Sequence, residues 1–266
     1  MALPGSTTRG WSELCLGVCL VGVVLAVVYA GQPPSPVRAD AAPTEFSAER
    51  AMRHIRLFAI EPHPAGTPAN DRVREYILRA LADMGIQAEV DTAIVTTKSK
   101  VGEVRNVLAR IPGTASTKAF ALVAHYDSTS YGPGAADAGS GVATMLETAR
   151  AIKAGPPLMN DVFLVFTDGE ERGLMGARAF VRHPWANQVG VLLNMETRGT
   201  SGPSGMFETT PNNGWLIRQL IHCGASVRAN SLSYDVYKHM PTRTDLTVLR
   251  DHRLKGYNIA FIEDFP

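Results

Sequence analysis

The sequence predicts an α/β fold, a three-layer α/β/α sandwich around a mixed, mostly parallel sheet. Three observations point there. Short, almost wholly apolar runs recur at residues 119–124, 162–166 and 189–195, the pattern of strands covered on both faces. Helical stretches at 141–153, 173–181 and 213–223 separate or follow them. Ionisable residues gather just past the ends of the runs, where open α/β sheets place their ligands.

The elements follow in order. Residues 14–37 carry no charge, and 14–30 are nearly all apolar; these 17 residues make about 25 Å of helix, enough to cross a membrane core. Residues 1–13, with Arg9 and the free amine, then read as a cytosolic tail, 14–31 as a signal anchor, and the remainder as non-cytosolic. Val28-Tyr29-Ala30 also suits a cleavage site, so secretion after cleavage is the alternative. Pro33, Pro34, Pro36 and Pro43 mark residues 32–44 as an extended linker. Residues 45–266 form one domain of 222 residues, enough for a well-buried core. Within it, 45–60 and 70–84 read as helices, the second capped by Asn70 and stopped by Gly85. Residues 88–95 and 104–111 read as strands, the latter flanked by Gly102 and Pro112-Gly113, and 259–262 as the last strand.

Composition excludes several classes. Twenty-six basic against 25 acidic side chains leave a charge of +1, too weak a field to gather nucleic acid. A 45% hydrophobic chain is neither disordered nor fibrous. Three cysteines make no disulfide framework: Cys15 and Cys19 lie in the apolar segment, and Cys223 reads as a small buried residue.

Chemistry collects at one sheet edge. His125-Tyr126-Asp127-Ser128 follows the first apolar run, Thr167-Asp168-Gly169-Glu170-Glu171 the second, and Asn194-Met195-Glu196 ends the third. Between the first two lies a glycine-rich loop, 132–141, with Asp137 inside it. So many carboxylates around one imidazole would raise one another's pKa values unless a cation neutralised them, and imidazole with carboxylate suits zinc. In a strand end, residues two apart share a side, so Asp127 can fix the ring of His125. Of the adjacent glutamates, one can bind metal while the other faces the water. Each motif has a plainer reading: Glu170-Glu171 as a solvated helix start, Glu196 as an edge charge. Gly139-Ser140-Gly141 lacks the first glycine of a nucleophile elbow, Ala138 standing there instead. One metal centre accounts for all the clusters together.

In this order the clusters resemble the co-catalytic di-zinc aminopeptidases of metallopeptidase family 28, over about residues 45–266. Pro62-His63-Pro64 with Gly66-Thr67 and Asn70, glutamate rather than aspartate at Glu196, and Pro241 with Thr244-Asp245 are similar to the membrane-anchored branch, which includes the endoplasmic reticulum metallopeptidase and the vacuolar membrane protease. The resemblance implies two zinc ions. His125 and Glu196 would bind one, Glu171 the other, and Asp137 would bridge them. Asp127 would orient His125, and Glu170 would be the general base. It implies a peptide substrate with a free amino terminus. The family completes its second site with a histidine after the last strand, where this chain has only Glu263-Asp264-Phe265-Pro266. The resemblance thus implies a C-terminally incomplete domain that holds about one zinc tightly or less. A non-catalytic peptidase-like ectodomain and a single-zinc enzyme of glutaminyl cyclase type are the alternatives.

Overall fold

The computed structural model describes residues 6–115, 117–224 and 228–263. The chain divides into two compact units, Met1–Ser35 and Pro36–Pro266. In the first, α1 (Ser6–Gly31) contains a span, Gly10–Gly31, long and apolar enough to cross a membrane, with mean hydropathy 2.6. The second opens with α2 (Ala48–Phe58) and α3 (Pro68–Asp83). It continues through β1 (Ala88–Thr96), β2 (Val101–Ile111), β3 (Ala119–His125), α4 (Gly139–Ala154), β4 (Val162–Thr167) and α5 (Met175–Phe180). Next come a 3-10 turn at Pro184–Gln188, β5 (Val189–Thr197), β6 (Gly205–Thr209), α6 (Gly214–His222) and β7 (Arg228–Ala229). Last are α7 (Ser231–His239), α8 (Asp245–Asp251) and β8 (Gly256–Phe261).

One eight-stranded sheet runs β1-β2-β4-β3-β5-β8-β6-β7. Its centre, β4-β3-β5-β8, is parallel, while β1, β2 and β6 pair antiparallel to their neighbours on the β4 and β8 sides. Alternation along each strand sends side chains to two cores. Leu122, Leu164 and Phe166 meet Phe58, Ile77, Leu81, Val142 and Leu146 of α2, α3 and α4. Val123, Phe163 and Leu192 meet Ala177, Phe180, Leu246 and Leu249 of α5 and α8. Each fully buried leucine or phenylalanine contributes about 1.5–3 kcal/mol, so the three layers hold one another in place. The expected sandwich is thus the observed one.

Several local expectations are corrected. Asn70 is not the cap of α3: Thr67, extended at φ −99°, accepts from the Asn70 N–H, and Pro68 supplies the first helical residue. Gly102 lies inside β2, because the antiparallel pairing with β1 runs on to Val101. Cys223 is exposed rather than buried, since α6 buries only Leu216 against the sheet. The pairs α7–α8 and β6–β7 had no counterpart in the apolar pattern.

Residues 39–45 are gripped from the helical layer. Fully buried Glu147 on α4 accepts from the Ser47 N–H at 2.9 Å, from Arg50 Nε at 2.9 Å and from Arg150 Nε at 2.7 Å. Those arginines in turn donate to the carbonyls of Ala39, Ala41, Pro43 and Glu45. Burial would raise the Glu147 pKa, but the hydrogen bonds from Arg150, Arg50 and Ser47 outweigh it and hold the carboxyl below its ordinary value. Glu147→Ala is expected to cost about 3 kcal/mol, because it leaves two guanidinium groups without their counter-charge. Thermal unfolding measures this; an unchanged midpoint would show that the grip is incidental.

Candidate metal centre

The parallel register sets the site. His125 at the end of β3 lies opposite Thr167 at the end of β4, and β5, on the other side of β3, carries Glu196 near its own end. The loop between β3 and α4 then folds back over this edge. Two close approaches require glycine there. A Cβ on Gly139 would lie 2.4 Å from the Gly134 carbonyl oxygen, and one on Gly141 would lie 2.8 Å from Cβ of Ala124. The resulting tight return delivers Asp137 to His125. Ser140 Oγ donates to the Ala136 carbonyl at 2.8 Å, so this serine serves its own helix start rather than nucleophilic chemistry.

All six sequence-predicted residues come together. Nε2 of buried His125 lies 3.1 Å from Asp137 Oδ1 and 3.8 Å from Glu196 Oε2. One ligand atom each from His125, Asp137 and Glu171 lie within 4.8 Å of one another. On its other side, the His125 ring has Nδ1 2.9 Å from the Asp127 carbonyl and 3.5 Å from Asp127 Oδ1. A proton on Nδ1 leaves Nε2 as the free ligand atom. The Asp127 carboxylate has a second task. It accepts the backbone N–H of Glu170 at 3.0 Å and of Glu171 at 3.3 Å, tying the β4 turn to the end of β3.

Electrostatics record the crowding. Burial alone would lower the His125 pKa, yet hydrogen bonds to Asp127 and Asp137 and the Glu170 charge hold it well above the ordinary histidine value. Glu196 is pushed up to about 8, first by burial and then by Asp137 and Asp245. Half-buried Glu170 is raised well above the usual carboxylate range by burial and by Glu196, Asp245 and Asp127, against the opposing pull of His125. Glu171 rises through burial, Asp137 and Asp127. Ligand chemistry fits zinc: separations of 3.1 and 3.8 Å bracket the roughly 3.4 Å expected between two atoms each about 2.1 Å from one tetrahedral ion.

Sequence reasoning gave no chemical role to two neighbours of the site. Asp245, fully buried at the start of α8, accepts from Thr167 Oγ1 at 2.5 Å, and its Oδ1 has no partner among the described residues. Its pKa is pushed up to about 6 by burial and by Asp127, and its charge raises both Glu170 and Glu196. The sequence singled out Asp245 only within the Thr244-Asp245 pair of the family resemblance, which says nothing of its burial. His63 brackets the His-x-Asp turn through its backbone: its N–H donates to Ser128 Oγ at 2.8 Å, and its carbonyl accepts from the Ser128 N–H at 3.3 Å. Among the described residues no second histidine joins the metal-ligating group, and residues 264–266 lie outside them.

The chain is similar to several known proteins. Over 218 residues the chain is 32% identical to a vacuolar membrane protease of Candida albicans (strain WO-1), covering 80% of this chain and 26% of that protein. Over 244 residues it is 27% identical to endoplasmic reticulum metallopeptidase 1 of Mus musculus, covering 83% of this chain and 27% of that one. The chain thus spans about a quarter of the length of these relatives. In fold it is similar to an aminopeptidase from Aneurinibacillus sp. strain AM-1, with TM-score 0.68, 13% identity and coverage of 84% and 87%. It is likewise similar to an Acidobacteriales bacterium glutaminyl cyclase, with TM-score 0.66, 20% identity and coverage of 88% and 85%. The description of Peptidase family M28 matches residues 106–265, from the middle of β2 through β8 and across every residue of the candidate centre, and the chain belongs to that family.

Proposed function

We propose that this chain is a zinc-dependent exopeptidase domain that removes residues from free peptide amino termini. In this reading α1 is a membrane anchor and the peptidase domain lies on the non-cytosolic side. The observation that carries the reading is the Asp127 clamp, which fixes Glu170 and Glu171 side by side against His125 and Asp137. The name of the vacuolar membrane protease supports the anchor.

His125, Asp137 and Glu196 would hold one zinc, and Glu171 with a shared Asp137 would hold a second. Zinc supplies Lewis acidity, making water a nucleophile near neutral pH and polarising a peptide carbonyl. Glu170 would accept the proton of the attacking water and return it to the departing amine; its backbone N–H, bonded to Asp127, fixes the main chain from which that carboxylate extends. Asp127 keeps His125 in the tautomer that presents Nε2. Any carboxylate charge that zinc leaves unbalanced at this rim would draw a positively charged amino terminus. Two residues past Glu196, Arg198 lines a cavity of about 360 Å³ with Phe207, Leu232, Val236, Tyr237 and Met240. We assign this cavity to the side chain next to the scissile bond, which predicts a preference for bulky apolar residues.

Aminoacyl p-nitroanilides test the reading. Leucyl and phenylalanyl substrates are expected to exceed glycyl in kcat/KM by about tenfold or more, and N-acetylation should abolish cleavage. Cleavage of acetylated but not of free substrates would overturn the exopeptidase assignment. Cyclisation of glutaminyl peptides without hydrolysis would place the chain with the cyclases, and inertness toward all these substrates with zinc bound would mark a binding module.

A further inference from the structure

Beneath Glu196 a row of polar side chains crosses three strands. Asn194 on β5 lies directly opposite Asn258 on β8, which lies directly opposite Glu208 on β6. Asn194 and Asn258 are fully buried and Glu208 nearly so, in a sheet whose neighbouring positions are apolar. Placing three polar groups there costs stability unless every bond is made. The bonds run in one chemically forced direction. Asn194 Nδ2 donates to Glu196 Oε1 at 3.1 Å and to Asn258 Oδ1 at 3.0 Å. Asn258 Nδ2 donates to Glu208 Oε2 at 3.1 Å and to Thr244 Oγ1 at 2.7 Å. Arg250 closes the row, donating to Glu208 Oε1 at 2.6 Å with its own side chain 34% exposed. With both glutamates ionised, as zinc binding requires of Glu196, each carboxylate only accepts, and turning either amide would break a bond at each end. Both Asn194 hydrogens are used, and its Oδ1 is buried without a partner among the described residues. That orphaned atom is a cost the row bears to keep Nδ2 on Glu196.

We infer that Asn194, Asn258, Glu208 and Arg250 form a positioning relay that sets Glu196 as a one-oxygen metal ligand. Oε1 is held by Asn194, and Oε2 faces His125 Nε2. Arg250 balances the relay's far carboxylate, so zinc affinity depends on a partly exposed residue outside the centre. The inference rests on the zinc reading above, and its test separates the two.

Zinc is titrated into metal-free full-length protein against a chromophoric chelator, and the unfolding midpoint of the metal-free form is recorded in parallel. Asn194→Leu is expected to weaken zinc binding about 10–100-fold, the usual effect of losing a partner behind a ligand. Its metal-free midpoint should stay near the wild-type value, because the unpartnered Asn194 Oδ1 that leaves offsets the Asn258 Oδ1 that loses its donor. Arg250→Met, at the exposed end, should weaken zinc binding severalfold, and Arg250→Lys should restore most of it. The Arg250 pair decides the matter if Asn194→Leu fails to fold. Unchanged affinity in Asn194→Leu, or in Arg250→Met where the former does not fold, overturns the relay. Binding in the wild type that His125→Ala leaves untouched overturns the zinc reading instead.

Discussion

Glu170→Gln is expected to lower kcat for aminoacyl-anilide hydrolysis by about 10²–10⁴-fold while zinc content stays at the wild-type level. Glutamine keeps the shape and backbone of glutamate, so the N–H bond to Asp127 Oδ1 survives and the turn keeps its position. What is lost is an oxygen able to take a proton. Without metal, burial and the charges of Glu196, Asp245 and Asp127 hold Glu170 protonated well above the usual carboxylate range. Zinc held by His125, Asp137 and Glu171 would oppose those charges, so that Glu170 could act as a base near neutrality. Glu171→Gln should behave differently, losing metal along with rate, because Glu171 belongs to the ligand group. Steady-state kinetics with metal analysis on both variants separates the roles. Equal zinc loss in the two would remove Glu170 from the base position; an active Glu170→Gln would remove the mechanism.

The candidate site was legible in the sequence because its residues sit where strands end. Apolar runs at 119–124, 162–166 and 189–195 mark three neighbouring strands, and parallel pairing carries their C-terminal ends to one edge. His125, Glu170, Glu171 and Glu196 therefore converge by chain order alone. Asp137 could be added because it is the acidic residue inside the glycine-rich loop between two of those ends. Asp245 and the Asn194–Asn258–Glu208 row were not legible in the same way. Whether a polar residue in a mixed segment is buried depends on what packs over it, and α8, which packs on the sheet and carries Asp245 itself, begins about 50 residues after Asn194. Periodicity also fails on elements as short as α8, with 7 residues, or β7, with 2. The misplaced cap at Asn70 has a different origin. Asparagine is a strong cap, but Thr67-Pro68 starts the helix three residues earlier, and the Asn70 side chain is drawn instead to Asp168 at 3.3 Å.

Removing metal should destabilise the domain more as pH rises. Glu196 is pushed up to about 8 and Asp168, by burial and the Asp127 charge, to about 7, against ordinary values of 4.5 and 3.8. His125 also titrates above its ordinary value. A group whose pKa is raised by folding adds stability that is complete below its unfolded value and is lost as pH climbs through the folded one. All three therefore act with one sign: the metal-free fold weakens between about pH 5 and pH 8. A tenfold change in proton affinity on folding is worth about 1.4 kcal/mol, so several kcal/mol are at stake across the cluster. Carboxylates held low, Glu147 and Asp71 among them, lose their contribution only in acid and leave this window unaffected. Zinc reverses the slope, because protons compete with it for the same atoms and its binding strengthens with pH. At about 2–4 °C per kcal/mol, the gap in unfolding midpoint between zinc-saturated and chelator-treated protein should be about 10 °C wider at pH 8 than at pH 5.5. Differential scanning calorimetry at the two pH values reads it directly. A gap independent of pH would mean that these carboxylates do not share one metal-neutralised rim, and the assignment of His125, Asp137, Glu171 and Glu196 as ligands would fall with it.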